Sequence, residues 1–405
     1  MQVAPEVGKR RLRLGPSAAF WLQSSVLVVL MAASSAPSPL YPLYQEQWHF
    51  PPVLLTMIFA AYVLALLASL LTVGSLSDYL GRRPVLLACL VLEIVSMWVF
   101  ISAGSEVHLI VARLLQGLAT GGAIGALGAY LIELEAPVRS GLGTVFNGAG
   151  PGLGLAVGAV ASSVVVAAAP TAIHGIYVAL LALLVLQVIG TIFSPETITR
   201  APGAMASLRP RVNFPVKVRR MAMLTLPAAV ATWSLGGLIL SLGPSIIRSM
   251  AGPDTAVLTG LIVAALTGTG GIATLVLGSA PAPKVLRIGM IALIAGMAAT
   301  IAAFAIGSVE LYFAATIIAG VGFGAGFLGV LRTLIPQAAP HERAGLLSAI
   351  YVVSYLANSI PAVVAGALIS GLGLTPTAIG YAGMVLLLSV FVLAGQLMGP
   401  RAPGK

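Results

Sequence analysis

One cysteine, four histidines and eleven acidic residues are spread over 405 positions, and each scarcity closes off a class of function. A lone cysteine, Cys89, cannot form an intramolecular disulfide, and no cysteine–histidine spacing suits a metal ion or a redox pair. His49, His108 and His174 fall near one end of the apolar segments and His341 near the other, so they form no common site. There is no phosphate-cradling glycine loop ending in lysine and no nucleophile elbow, so neither nucleotide hydrolysis nor acyl transfer is expected. No cofactor and no metal is expected, and the chain does not read as an enzyme. Charge itself is scarce: 8% of residues, against about 25% in a soluble domain. With 59% hydrophobic residues, this composition excludes a soluble globule.

What the chain has instead is long apolar runs. A membrane span needs roughly 20 apolar residues. Twelve such stretches begin near Ser17, Val53, Pro84, His108, Gly141, Gly175, Met221, Ala256, Ile288, Leu311, Gly345 and Thr377. The expected class is an all-α membrane protein of twelve helices. The 46 glycines suit close helix contact where no hydrophobic drive acts between helices. The net charge of +10 does not point to nucleic acid, because of where the charge lies. Of 21 basic residues, 19 fall in the tails or in every second loop; only Arg248 lies in an opposite loop and only Arg113 within a span. This is the positive-inside pattern, with both termini cytoplasmic. Arginine outnumbers lysine 17 to 4, which points to a GC-rich bacterial genome and so to a bacterial cytoplasmic membrane. The basic N-terminus, the apolar run after it and the small residues Ser34-Ser35-Ala36 have the shape of a signal peptide. Cleavage would leave eleven spans, so the segment is expected to stay.

The longest polar segment, Ser194 to Arg220, carries six bases, one acid (Glu196) and four prolines. It reads as a cytoplasmic linker (194–220) between a six-helix half (1–193) and a second one (221–405). A shift of 204 residues superposes the halves without gaps over about seventy positions: Gly74 meets Gly278, Arg83 meets Arg287, Glu106 meets Glu310, and Arg139 meets Arg343. Matches among scarce charged residues mark a duplication. Ala282 stands where the first half has Asp78, so the two copies have diverged.

Gly74-Ser75-Leu76-Ser77-Asp78-Tyr79-Leu80-Gly81-Arg82-Arg83 joins the second and third spans and carries three charges in six residues. Its G-x-x-x-D-x-x-G-R-R spacing resembles the signature loop of the major facilitator superfamily of secondary transporters. Arg113, followed by Gln116-Gly117 in the fourth span, resembles that family's fourth-helix signature. Gly150-Pro151-x-x-Gly154 in the fifth span resembles its antiporter motif in part, with Phe146 and Leu155 where glycines are expected. Pro37-Ser38-Pro39 loosely resembles the proline motif of drug-exporting members; a plain helix exit fits it equally. Glu133 and Arg139 sit like the intracellular E…R element, with Glu342 and Arg343 in the second half. The resemblance implies two pseudo-symmetric halves with a substrate site between them near mid-membrane.

Several residues then become candidates. Gly74, Asp78, Gly81, Arg82, Arg83, Glu133, Arg139 and Arg343 would form the cytoplasmic gate, with Asp78 near the start of the eleventh span around Ala344-Gly345. Arg113 is the only base inside the membrane, where a charge costs at least ~2.5 kcal/mol. It serves either proton coupling and substrate contact, or backbone carbonyls of the first helix. Glu93 is the only acid inside the membrane, about nine residues or ~14 Å along a helix from Pro84. It is either a proton carrier or a neutral group bonded to neighbouring helices, and it has the option of pairing with Arg113. Gly150, Pro151 and Gly154 would act as a helix hinge. Gln23, Gln116, Asn147, Trp233, Ser234, Tyr351, Tyr355 and Asn358 are candidates to line the cavity; the last two tyrosines and Asn358 share one helix face. The reading is a proton-coupled exporter of small amphipathic compounds. Its rivals are a proton-linked metabolite importer and a non-transporting membrane sensor. The partners expected are a small-molecule substrate, protons and membrane lipids, with no nucleic acid and a monomeric chain.

Overall fold

The computed structural model describes residues 13–136, 141–169 and 172–398, and every regular element among them is helical. Twelve helices are long and apolar enough to cross a membrane. They are α1 (Pro16–Ser35), α2 (Pro52–Thr72), α3 (Arg82–Ile101), α4 (Glu106–Glu133), α5 (Leu142–Ala168) and α6 (Gly175–Ile192). The second six are α7 (Val216–Ala251), α8 (Ala256–Val276), α9 (Ala282–Ile306), α10 (Val309–Leu334), α11 (Arg343–Leu372) and α12 (Leu374–Met398). Short helices flank them: Ser38–Leu40 and Tyr41–Trp48 after α1, and Ser77–Leu80 inside the signature loop. The chain is a multi-pass membrane protein of the all-α class. Below, the basic end is the one with the α2–α3 loop and the α6–α7 linker; the opposite end carries residues 36–51.

The duplication read from the sequence reappears as packing. In the first half α1 packs on α4, α5 and α6, α2 on α4, and α3 on α4 and α6. Six helices on, α7 packs on α10, α11 and α12, α8 on α10, and α9 on α10 and α12. The halves meet through α5 on α8 and α2 on α11, two contacts that exchange under the same symmetry. Two starts differ from the sequence reading: α9 begins at Ala282, not near Ile288, and α7 at Val216, not near Met221, so the last residues of the 194–220 stretch are helical. Pro215 precedes the first turn, and Lys217, Arg219 and Arg220 stand exposed on it. A polar first turn disguised the helix as linker.

Close approach of backbones explains the glycines of α5. A Cβ at Gly154 would lie 2.5 Å from Met31 Cβ, and one at Gly158 only 2.0 Å from Ala32 O, both on α1. A backbone oxygen cannot step aside as a side chain can. Gly158→Leu is therefore expected to yield no monodisperse protein on size exclusion. Gly380→Leu on α12 is the control, because nothing lies within 4 Å of a Cβ there. Normal folding of Gly158→Leu would contradict the α1–α5 packing.

Candidate functional site

The two charges inside the membrane belong to one buried cluster. α4 places Arg113 and Gln116 three residues apart on one face, and α3 presents Glu93 to it; all three are fully buried. Arg113 donates from Nε to Tyr41 Oη at 2.7 Å, and from Nη1 to Ser34 O at 2.7 Å and Gln116 Oε1 at 2.6 Å. Its guanidinium carbon lies 5.4 Å from the Tyr41 ring centre and 5.1 Å from that of Tyr62, so two aromatic faces sandwich the cation. Gln116 in turn donates from Nε2 to Ala33 O at 3.0 Å and to Glu93 Oε1 at 3.1 Å. Gln116 thus stands between the arginine and the glutamate, with its carbonyl turned to the cation and its amide to the anion. Arg113 therefore binds a carbonyl of α1, as one of its two readings had it, and is linked to the acid through Gln116. Glu93 Oε2 and Arg113 Nη2 have no protein partner. A proton can sit on Oε2 without breaking the Gln116 bond to Oε1.

Gln116 was expected in the substrate cavity, and the structure places it inside this cluster instead. Gln23 is corrected more sharply. It is fully buried and donates to Thr191 Oγ1 at 3.3 Å and Ser194 Oγ at 3.1 Å, so it fastens α1 to the end of α6 rather than lining a cavity. Ser234 and Asn358 also knit helices: Ser234 donates to Ala357 O at 3.0 Å and Asn358 to Trp233 O at 3.0 Å, joining α7 to α11. Asn147 is half-buried and donates to Gly128 O at 2.8 Å. Gly150, Pro151 and Gly154 lie in an α5 that runs unbroken through the proline, with Gly150 and Gly154 turned to α1.

Trp233, Tyr351 and Tyr355 do come together. With Phe327 of α10 they close a ring of four aromatic side chains. Trp233 meets Tyr355 at 4.6 Å and Phe327 at 5.1 Å, and Tyr351 meets Tyr355 at 6.0 Å and Phe327 at 6.1 Å. Trp233, Phe327 and Tyr351 are only partly buried, and none of these three helices carries an acid or a base at this depth. The wall is therefore aromatic and uncharged, with edge-to-face contacts that fix its shape.

At the basic end the signature loop forms a charge network. Gly81 takes φ +111°, which glycine alone adopts without strain. Arg82 then reaches Glu133 of α4 at 2.8 Å, Ser77 Oγ at 2.9 Å, and the Asp78 carboxylate. Glu196 of the linker accepts from the backbone N–H of Arg82 at 2.9 Å and of Arg83 at 3.2 Å, an anion at the N-terminus of α3. Arg83 donates to Ile192 O at 3.2 Å and Ser194 O at 3.3 Å. Asp78 thus holds Arg82, while the neighbour of Gly345 is the linker: Asn213 N donates to Gly345 O at 3.1 Å. Glu133 likewise pairs with Arg82; Arg139 lies outside the described residues. In the second half Arg343 donates to Ala338 O at 3.3 Å and Glu342 accepts from Ala339 N at 3.1 Å, so this E…R pair shapes its own loop. Where Ala282 replaces the acid, Arg332 instead donates to Gly278 O at 2.7 Å.

Sequence reasoning missed Tyr41, Tyr62 and Ser34 as partners of Arg113, and Glu196 as the cap of α3. Glu196 had a signal, being the sole acid of the linker. The tyrosines had none: Tyr41 opens a short helix and Tyr62 lies in the middle of α2, and neither position sets a tyrosine apart in an apolar chain.

Comparison with known proteins agrees with this architecture. The family model described as Major Facilitator Superfamily matches residues 24–360. No curated protein matches the chain. Among solved structures, a bacterial homolog of the human lysosomal transporter Spinster, inward-facing and occupied, superposes with TM-score 0.74 at 12% identity, covering 97% of this chain and 98% of that one. The xylose transporter XylE from E. coli in its inward-open conformation gives TM-score 0.72 at 15% identity, covering 93% and 95%. The nucleoside transporter NupG gives 0.67 at 13%, covering 94% and 100%. At these identities the likeness concerns the fold, and the family match spans both halves and the linker: the chain belongs to the major facilitator superfamily of membrane transporters.

Proposed function

We propose that this transporter works by alternating access as a proton-coupled exporter of small amphipathic compounds, in a bacterial cytoplasmic membrane with both termini in the cytoplasm. The observation that carries the reading is the buried Arg113–Gln116–Glu93 cluster. A carboxyl group enclosed in the membrane, with one oxygen free to take a proton and the other bridged to a fixed cation, has the parts of a proton carrier. Loading Oε2 removes the negative charge that faces Arg113 through Gln116. The cation's remaining partners, Ser34 O and Tyr41 Oη, and the Gln116 contact to Ala33 O lie on or just after α1. Protonation is thus felt by the first helix. The uncharged aromatic wall of α7, α10 and α11 supports a substrate with an apolar, ring-bearing face. The Asp78–Arg82–Glu133 network supports a gate at the basic end.

A second reading, proton-linked uptake of a metabolite, draws support from structural relatives described as xylose and nucleoside transporters. A thermal-shift screen of the purified protein separates the two, since a true ligand at ~100 Kd stabilises by ~2.7 kcal/mol. Ring-bearing amphipathic compounds are expected to raise the melting temperature, and Trp233→Ala to remove the shift. Stabilisation by sugars or nucleosides alone would favour uptake.

A further inference from the structure

The eight-residue helix Tyr41–Trp48 follows α1 at the end opposite the basic loops and touches both halves. Tyr41 is fully buried and accepts the Arg113 Nε–H on its hydroxyl at 2.7 Å. Tyr44, also fully buried, has its hydroxyl 3.5 Å from that of Tyr177 on α6 and stacks its ring on Trp48 at 4.9 Å. These contacts fix one face of the helix in the first half. Glu46 lies five residues beyond Tyr41, about 140° round the helix and ~7.5 Å along it, so it looks the other way. Its carboxylate meets Arg248 Nη2 of α7 at 2.5 Å. Among the described residues this is the one ion pair that joins the halves. Arg248 is also the one base that the sequence places against the charge bias of the loops. Beside it, Pro39, Leu40 and Leu43 face Ser163, Val166, Ala256 and Thr259 across a shallow open groove with an empty volume of ≈ 210 Å³. The ion pair thus stands at the rim of this groove, where the two halves meet.

We propose that the helix Tyr41–Trp48 is a lever: Arg113 sets its position through the Tyr41 hydroxyl, and that position decides whether Glu46 reaches Arg248 and holds this end of the transporter closed. Tyr41 and Glu46 are positioning residues that carry the state of the buried cluster to the seam between the halves. The proposal rests on the alternating-access reading above. Its physical content is a coupling between two contacts on opposite faces of one short, rigid element.

The test is a distance measurement on the full chain in nanodiscs, with Cys89→Ser as background. Spin labels at Ser102 and Asp254 report the seam end, and labels at Leu80 and Lys284 the basic end. Glu46→Gln or Arg248→Gln is expected to raise the open fraction at the seam ~2–5-fold, the scale of a half-exposed ion pair. The charge swap Glu46→Arg with Arg248→Glu is expected to restore it. Tyr41→Phe, which keeps the ring and loses the bond, is expected to open the seam by a similar factor. Combined with Glu46→Gln it should open the seam no further than the larger single change, because both act on one contact. If the two effects multiply, the lever is wrong and the ion pair is an independent latch. Unchanged distances in both single ion-pair variants overturn the latch as well. Should Tyr41→Phe fail to fold, Arg113→Lys removes the Nε donor from the other side of the same bond. Distances that never change at either end, in any variant, would overturn alternating access itself and the lever with it.

Discussion

Glu93→Gln is expected to abolish substrate-driven proton release from proteoliposomes while downhill exchange of the same substrate continues. The glutamine keeps the shape of the side chain and an oxygen for the 3.1 Å bond from Gln116, so packing around α3 is preserved. What it loses is the oxygen that takes a proton. Exchange without net proton movement needs only the conformational cycle, which the neutral side chain permits. A Glu93→Gln protein that still releases protons on substrate addition would show that the glutamate is structural and that coupling runs elsewhere.

The second large effect concerns Arg113. Arg113→Met leaves Ser34 O, Tyr41 Oη and Gln116 Oε1 without their donor and Glu93 without its compensating charge. Removing one member of a buried charge pair costs about 3–5 kcal/mol, because the other member is left desolvated and unpaired. Arg113→Met should therefore melt well below wild type in detergent. The double variant Arg113→Met/Glu93→Met removes both charges, and its melting temperature is expected to recover most of the loss. Transport should be absent in both. Equal destabilisation of the single and double variants would mean that the cluster is held by packing, with no communication between the charges.

The twelve spans, the duplication and the signature loop were legible in the sequence because each rests on a local pattern. Apolar length gives a span, a constant offset of scarce charges gives the repeat, and Gly81 between Asp78 and Arg82 gives the tight turn. The cluster was half legible: Arg113 and Glu93 stood out as the only charges in apolar surroundings. Gln116 as their bridge did not, because it depends on how α3 and α4 rotate against each other. Gln23 shows why such rotation is hard to read. In a soluble helix the polar face marks the outside, but in a membrane both faces are apolar, and a single glutamine turns toward a neighbouring helix as readily as toward a cavity. Tyr41 and Arg113 are separated by 72 residues, and Glu196 and Arg82 by 114, so no periodicity links them. The family resemblance pointed Asp78 to the start of the eleventh span, and its ion pair with Arg82, four residues on, was not read beside it.

The central claim is antiport through one membrane-embedded carrier, and the sign of a driven flux tests it most directly. Purified protein is reconstituted in liposomes, and a pH gradient is imposed by dilution with a ligand taken from the thermal screen outside. With the lumen acidic, outward protons should drive the ligand inward above its external concentration, whichever way the protein is inserted. With the lumen alkaline, no accumulation is expected. Accumulation only when the lumen is alkaline would make the protein a symporter, and accumulation under neither gradient would contradict proton coupling altogether.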